Sequence, residues 1–238
     1  MKKFLTALLF FYSLSSYSFG PYVTAKSWLV ADQDGHVIRS ENTTEVRSIA
    51  SITKLMTVMV VLDARQALDE KTTPYSRREL IQLALVKSDN AAAKRLCELY
   101  PGGLNECIWA MNTKAYTLGM HNTHYIEPTG LSVFNVSTAE ELITLVQEAS
   151  KYSEIREASK TPEVKIRNKK HWTIFHNTNP IIGHKFNFIV SKTGYIRASG
   201  GCIVMMLDTD LGRRIVVLLG SKNTHTRIPE AELIAKIY

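Results

Sequence analysis

Ser51-Ile52-Thr53-Lys54-Leu55-Met56-Thr57-Val58-Met59-Val60-Val61-Leu62 reads as the opening of a helix that runs to about Leu68. Ile52, Leu55, Met56, Val58, Met59, Val60, Val61 and Leu62 leave almost no polar face, so the helix is predicted to be buried on every side. Its cover has to come from the segments that flank it in the chain. Lys54 is the anomaly: an amine inside an apolar rod.

Upstream, Ser27 to Glu41 has the pattern of a β-hairpin, Trp28-Leu29-Val30 and Val37-Ile38 joined through Asp32-Gln33-Asp34-Gly35. Downstream the pattern is helical. Ser76 with Glu79 forms a capping box, and the helix it opens breaks near Ser88. Asp89 or Ser88 can cap the next helix, which runs through Leu99 and stops at Pro101-Gly102-Gly103. Ser137 with Glu140 is a second capping box, ahead of Ala139 to Ser150. The last third changes to strands over Phe186–Ser191, Cys202–Leu207 and Arg214–Leu219, with Asp208 to Gly212 joining the last two. A short helix, Pro229 to Tyr238, closes the chain. Strands at both ends with helices between predict an α+β fold: one antiparallel sheet flanked by helices, with an all-helical insertion over about residues 69–160.

A chain of 238 residues with 45% hydrophobic and 21% charged content can build a sizeable core, which excludes disordered and low-complexity classes. The formal charge is +7. Two of those charges, Lys2 and Lys3, precede the apolar run Phe4–Leu14 and the small residues Ser16 and Ser18. That is the pattern of an export signal over residues 1–18, leaving 19–238 as an exported, periplasmic mature chain. The run is shorter than the ~20 residues a bilayer core needs, so no membrane anchor is expected in the mature chain. Export permits disulfides. Cys97 and Cys107 flank the Pro101–Gly103 loop and either form a bridge there or stand as two free thiols, while Cys202 reads as a small core residue. No Cys/His spacing suggests a metal site and nothing asks for a cofactor. His36, His121, His124, His176, His184 and His225 have no spacing that assigns them a role.

Three segments carry chemistry. Ser51 and Lys54 are three apart at a helix start, hence on one face. Burial disfavours an ammonium, which makes its amine a base near neutral pH, and a serine beside such a base is an activated nucleophile. Free backbone N–H groups at a helix N-terminus favour developing negative charge. Ser88-Asp89-Asn90 stands at a break between helices, where a hydroxyl and an amide can project into a cleft. Lys192-Thr193-Gly194 ends a strand with a cation, a hydroxyl and a glycine that lets a ligand approach the backbone. Each alone reads as a cap or a turn. Together, in this order, they are the signature of penicillin-binding proteins and class A β-lactamases.

The surrounding text, Arg47 to Thr57, Glu127-Pro128-Thr129-Gly130-Leu131, Asn135 to Ala139 and Asn177-Thr178-Asn179-Pro180, resembles the low-molecular-mass penicillin-binding proteins, the serine D-Ala-D-Ala carboxypeptidases and endopeptidases. The resemblance covers essentially the whole mature chain and implies the transpeptidase-like fold shared with β-lactamases. It implies that Ser51 attacks a D-alanine carbonyl, that Lys54 takes its proton, and that Ser88 relays a proton to the leaving amine. It further implies that Asn90 and Thr193 bind the substrate, that Lys192 biases Lys54 and Ser88 by like charge, and that Arg227 holds a carboxylate. The N–H groups of Ser51 and Tyr195, the latter next to Gly194, would form the oxyanion hole. The partners so implied are peptidoglycan peptide stems as substrate and β-lactams as covalent inhibitors.

Two other functions are compatible with parts of this sequence. A β-lactamase needs a glutamate-positioned water, and Glu163 ahead of Asn168 is followed by Val-Lys-Ile-Arg, a basic strand instead of the required loop. Lys165, Arg167, Lys169 and Lys170 with His171 and Trp172 form a basic, aromatic patch. For an exported protein the anionic wall is a better partner than nucleic acid, and a solvated hairpin turn is the plainest reading. A wall-binding module without catalysis would have lost Ser51, Lys54, Asn90 or Lys192, and all four are present. Because the chain stops at Tyr238, directly after the catalytic segment, it looks more like the soluble endopeptidases than the anchored carboxypeptidases.

Overall fold

A computed structural model of the chain describes residues 22–72, 74–168 and 171–238. The expected export segment, residues 1–18, lies outside them, as do Lys169 and Lys170. The N-terminal part holds β1 (Ser27–Asp32), β2 (Val37–Glu41), the short β3 (Arg47–Ser48), a 3-10 turn at Ala50–Ile52 and α1 (Thr53–Asp63). A helical stretch follows: β4 (Lys71–Thr72) and β5 (Tyr75–Ser76) lead to α2 (Arg77–Gln82), a π-helical turn at Leu83–Lys87, α3 (Asn90–Glu98) and α4 (Leu104–Thr117). Then come β6 (Val136–Ser137), α5 (Ala139–Ala149), α6 (Ser153–Lys160) and the hairpin β7 (Glu163–Asn168) with β8 (His171–His176). The chain ends in β9 (Asn187–Ile196), β10 (Gly200–Thr209), β11 (Gly212–Ser221) and α7 (Arg227–Ile237).

The expected α+β layout is present. Five strands form one antiparallel sheet in the order β2-β1-β11-β10-β9. Leu29, Ala31, Cys202, Val204, Met206, Ile215, Val217 and Leu219 face α1 and the helical side, while Trp28, Val30, Ile203, Met205, Leu207, Val216 and Leu218 face α7. Both faces are covered, which is why the central strands read as continuous apolar runs instead of the alternation of a one-sided sheet. Of the helices between residues 69 and 160, α5 lies on β1 and β11 and α6 on β9, so both cover the sheet. The helices α3 and α4 pack on α1, joined by a Cys97–Cys107 disulfide whose Cα atoms are 5.3 Å apart. Cys202 is free and buried.

Every residue from Thr53 to Val61 is buried. Each aliphatic side chain there contributes about 1.5–3 kcal/mol by burial, enough to hold a desolvated amine in place. The helix stops at Asp63, short of the expected Leu68. Arg65 turns into the left-handed region at φ 52°, closing the end, and Leu68 joins the core from an irregular segment.

Local chemistry explains the other departures. The Ser76–Glu79 capping box is formed in both directions, but the box expected at Ser137 is not. Ser137 belongs to β6, pairs with Arg47 across that short ladder, and shares its hydroxyl with Thr123, so Thr138 caps α5 instead. The last helix starts at Arg227, and Pro229 sits within its first turn, where a missing N–H costs nothing. Among the described residues no helix is long and apolar enough to cross a membrane.

Candidate active site

Ser51 lies in the 3-10 turn that leads into α1, after Ala50, which adopts φ 46° without being glycine. Backbone strain of that kind persists only where neighbours hold it. Two glycines do so. A Cβ on Gly130 would stand 2.0 Å from the Ala50 carbonyl oxygen, and one on Gly194 would stand 2.9 Å from the Ser51 nitrogen. Only glycine lets the Glu127–Leu131 loop and β9 close on the serine from two sides.

Lys54 is fully buried one helical turn further on. Its Nζ donates to Ser51 Oγ at 2.8 Å, to Asn90 Oδ1 at 2.8 Å and to the Thr129 carbonyl. Burial brings its pKa down to about 8, against the opposing pull of Glu127 and Asp89. The Thr129 carbonyl is held by Glu127, whose carboxylate accepts from the Thr129 N–H and hydroxyl, the Gly130 and Ser132 N–H groups, and Asn135 Nδ2. Asn135, itself buried, also bonds Thr53 Oγ1, and Thr57 Oγ1 bonds the Pro128 carbonyl, which ties this loop to α1.

Opposite stands a second cation–hydroxyl pair. The π-helical turn ends at Ser88, which is left-handed at φ 62°, and Asp89, not Ser88, caps α3 through the Ala92 N–H. The Ser88 hydroxyl is therefore free to accept from Lys192 Nζ at 2.9 Å. Lys192 lies inside β9, which continues to Ile196, so Lys192-Thr193-Gly194 does not end the strand. The edge strand of the sheet is thereby extended past the site. Burial holds the Lys192 amine well below the ordinary lysine range, with further lowering by Lys54 and Arg227. Burial is the leading cause for both amines, and the like-charge effect falls on Lys192, from its two cationic neighbours Lys54 and Arg227.

Ser51, Ser88, Asn90, Thr193, Gly194, Tyr195 and Arg227 line one open cleft of about 240 Å³, together with Leu131 and Thr178. Lys54 and Lys192 are buried behind it, bonded to Ser51 and Ser88 respectively. Thr193 Oγ1 donates to Thr178 Oγ1 at 2.6 Å, and Arg227, at the first turn of α7, donates to the Gly194 carbonyl while its buried Nε has no partner among the described residues. All nine expected site residues thus meet at one place. Three contributors had no assigned role from the sequence: Glu127, the Thr129 carbonyl, and Thr178. The Pro-Thr-Gly run after Glu127 was the available signal, since a glycine there marks a close approach.

Acyl transfer through a serine, activated by an amine where many serine enzymes use histidine, is the chemistry this arrangement supports. On this sheet-and-helix frame it defines the penicillin-binding class of serine enzymes. The chain belongs to the D-alanyl-D-alanine carboxypeptidase family, peptidase S11, whose family model matches residues 16–73 and 66–223. It is a serine D-Ala-D-Ala peptidase by that membership. A D-alanyl-D-alanine endopeptidase of Pseudomonas aeruginosa is 40% identical over 229 residues, spanning 86% of this chain and 74% of the relative. One of Escherichia coli is 42% identical over 235 residues, spanning 89% and 76%. The cefotaxime-bound structure of penicillin-binding protein D2 from Listeria monocytogenes superposes with a TM-score of 0.81 at 26% identity, over 91% of this chain and 97% of that one.

Proposed function

We propose that the protein is a D-alanyl-D-alanine endopeptidase that cuts peptide cross-links of peptidoglycan through an acyl-enzyme on Ser51. The observation that carries this is the 2.8 Å hydrogen bond between Ser51 Oγ and the buried Lys54 amine. Unprotonated Lys54 takes the Ser51 proton as Oγ attacks the D-alanine carbonyl. The oxyanion forms beside the Ser51 and Tyr195 N–H groups, and its stabilisation is the largest single contribution to such a step. The proton taken up by Lys54 returns to the leaving amine by way of the Ser88 hydroxyl, aligned by Lys192. Water then hydrolyses the ester, restoring the Ser51 hydroxyl and the unprotonated Lys54 amine. Asn90 bonds the peptide, and Thr193 with Arg227 takes the substrate carboxylate. β-Lactams acylate the same serine, in line with the cefotaxime-bound relative.

Endopeptidase is favoured over carboxypeptidase because the relatives at 40 and 42% identity are named endopeptidases. Residues 1–18 direct export to the periplasm and residues 19–238 form the catalytic domain. The Cys97–Cys107 bridge supports an oxidising compartment. Digestion of purified sacculi tests the reading: cross-linked dimers disappear for an endopeptidase, whereas loss of terminal D-Ala with dimers intact would identify a carboxypeptidase. Ser51→Ala is expected to abolish both cleavage and fluorescent-penicillin labelling, and labelling that survives would remove Ser51 from its role.

A further inference from the structure

The hairpin β7–β8 stands apart from the main sheet and its two faces differ. Val164 and Ile166 are buried and Phe175 packs on the core, which anchors one face. The other face displays Lys165 and Arg167 on β7 against Ile174 and Trp172 on β8, in the pairs Lys165–Ile174 and Arg167–Trp172. Trp172 is 60% exposed, and Lys165 Nζ sits 5.5 Å from its ring centre. Glu163, the acid of this face, is paired with His176 at 3.3 Å, and neither Lys165 nor Arg167 has a carboxylate partner among the described residues. The root of the hairpin is fixed. Asn177 bonds the Pro162 and Thr161 carbonyls, Lys87 lies over the Phe175 ring, and the next residue, Thr178, bonds Val86 and enters the catalytic cleft. At the rise of a strand, Trp172 lies at most about 20 Å along the chain from Thr178.

We propose that the outward face of β7–β8 is a docking surface for the peptidoglycan polymer beyond the cleaved bond, with Lys165 and Arg167 pairing stem carboxylates and Trp172 covering the apolar face of a sugar ring. This rests on the reading of peptidoglycan as substrate and adds to it a second contact outside the cleft. Two features select that occupant. The face is cationic and unpaired where stem peptides carry free carboxylates, and β8 runs directly into the cleft, so a polymer held at Ser51 passes along it. Exposed single ion pairs are each weak, so the surface works through several contacts at once and its binding falls with salt. An indole offers a large apolar area with little rotamer entropy to lose.

The test uses the mature chain in a Ser51→Ala background, which binds without digesting, sedimented with purified sacculi at low and high salt. K165E/R167E/W172A is expected to weaken sacculus binding by about tenfold or more and to flatten its salt dependence. In the active enzyme the same triple substitution is expected to leave penicillin labelling and cleavage of a small soluble cross-linked dimer at the wild-type level. If the triple variant does not fold, K165Q and R167Q carry the test singly, each expected to lose about threefold. Unchanged sacculus binding overturns the proposal. So does a loss confined to phosphatidylglycerol vesicles, which would make the face a lipid contact, or a loss confined to DNA. Failure of the wild type to cleave the soluble dimer would instead sink the endopeptidase reading and leave the binding result to be read separately.

Discussion

Gly130 and Ala50 touch backbone to backbone: a Cβ on Gly130 would lie 2.0 Å from the Ala50 carbonyl oxygen. The contact holds the peptide that precedes the nucleophile, itself strained at Ala50, and it depends on a glycine at φ 82°. Gly130→Ala is therefore expected to cost about 3 kcal/mol or more, combining overpacking with a disfavoured φ. Denaturant unfolding reads the loss, and the acylation rate with a fluorescent penicillin should fall further than stability alone explains. A variant with wild-type stability would show that the loop does not clamp Ala50.

Lys54 sets the pH dependence. With its pKa near 8 the amine is mostly protonated at pH 6, so acylation is expected to rise about tenfold per unit until it levels off near pH 8. The sign for stability is also upward. Between about 8 and the ordinary value of 10.5 the unfolded chain binds more protons than the folded one, so unfolding free energy increases with pH across that window, by up to about 3 kcal/mol. Lys54→Met should abolish acylation, raise stability at pH 7 and remove that slope.

Glu127 acts on Lys54 without touching the reacting serine. Its negative charge raises the Lys54 pKa, so Glu127→Gln is expected to move the acidic limb of the acylation profile to lower pH. An amide cannot accept from all the donors the carboxylate serves, so the variant should also lose about 1–3 kcal/mol. A lower rate with an unmoved profile would reduce Glu127 to a loop support.

Ser88 separates backbone from hydroxyl. Both Ser88→Ala and Ser88→Gly lose the partner of Lys192 and should lose most of their turnover. Because the position is left-handed, the glycine variant is expected to be more stable than the alanine variant by about 1 kcal/mol, measured by thermal unfolding.

The Cys97–Cys107 bridge closes a short loop between α3 and α4. Its reduction, or Cys97→Ser, is expected to cost about 2–3 kcal/mol, mainly through the freed unfolded chain. Penicillin labelling at low temperature should survive, because neither cysteine touches the cleft. Equal melting curves with and without reductant would count against the bridge.

Much of this was readable from local pattern. The buried helix, the Asp-Gly hairpin, the Ser76 capping box and the order of the three catalytic segments follow from side-chain periodicity and residue chemistry within a few positions. The misreadings share one origin. Ser137 has the spacing of a cap, yet β3 claims its strand and Thr123 its hydroxyl; Leu68 has the hydrophobicity of a helical residue, yet the turn at Arg65 comes first. Local propensities differ by well under a kcal/mol, and a tertiary hydrogen bond or packing contact outweighs them.

The sequence alone thus determined which groups do the chemistry: a hydroxyl and an amine one turn apart, a second hydroxyl with an amide, and a cation on a strand. It also determined the kind of frame that carries them. What it left open was how those groups meet, since Ser88 and Lys192 are 104 positions apart and Lys54 and Thr129 are 75. Only the closed fold desolvates both amines together, brings two glycines against the Ser51 turn, and sets the Glu127 carboxylate behind the Thr129 carbonyl. The physical reason is that burial and through-space charge depend on what the chain packs from afar, and no window of neighbouring residues contains it.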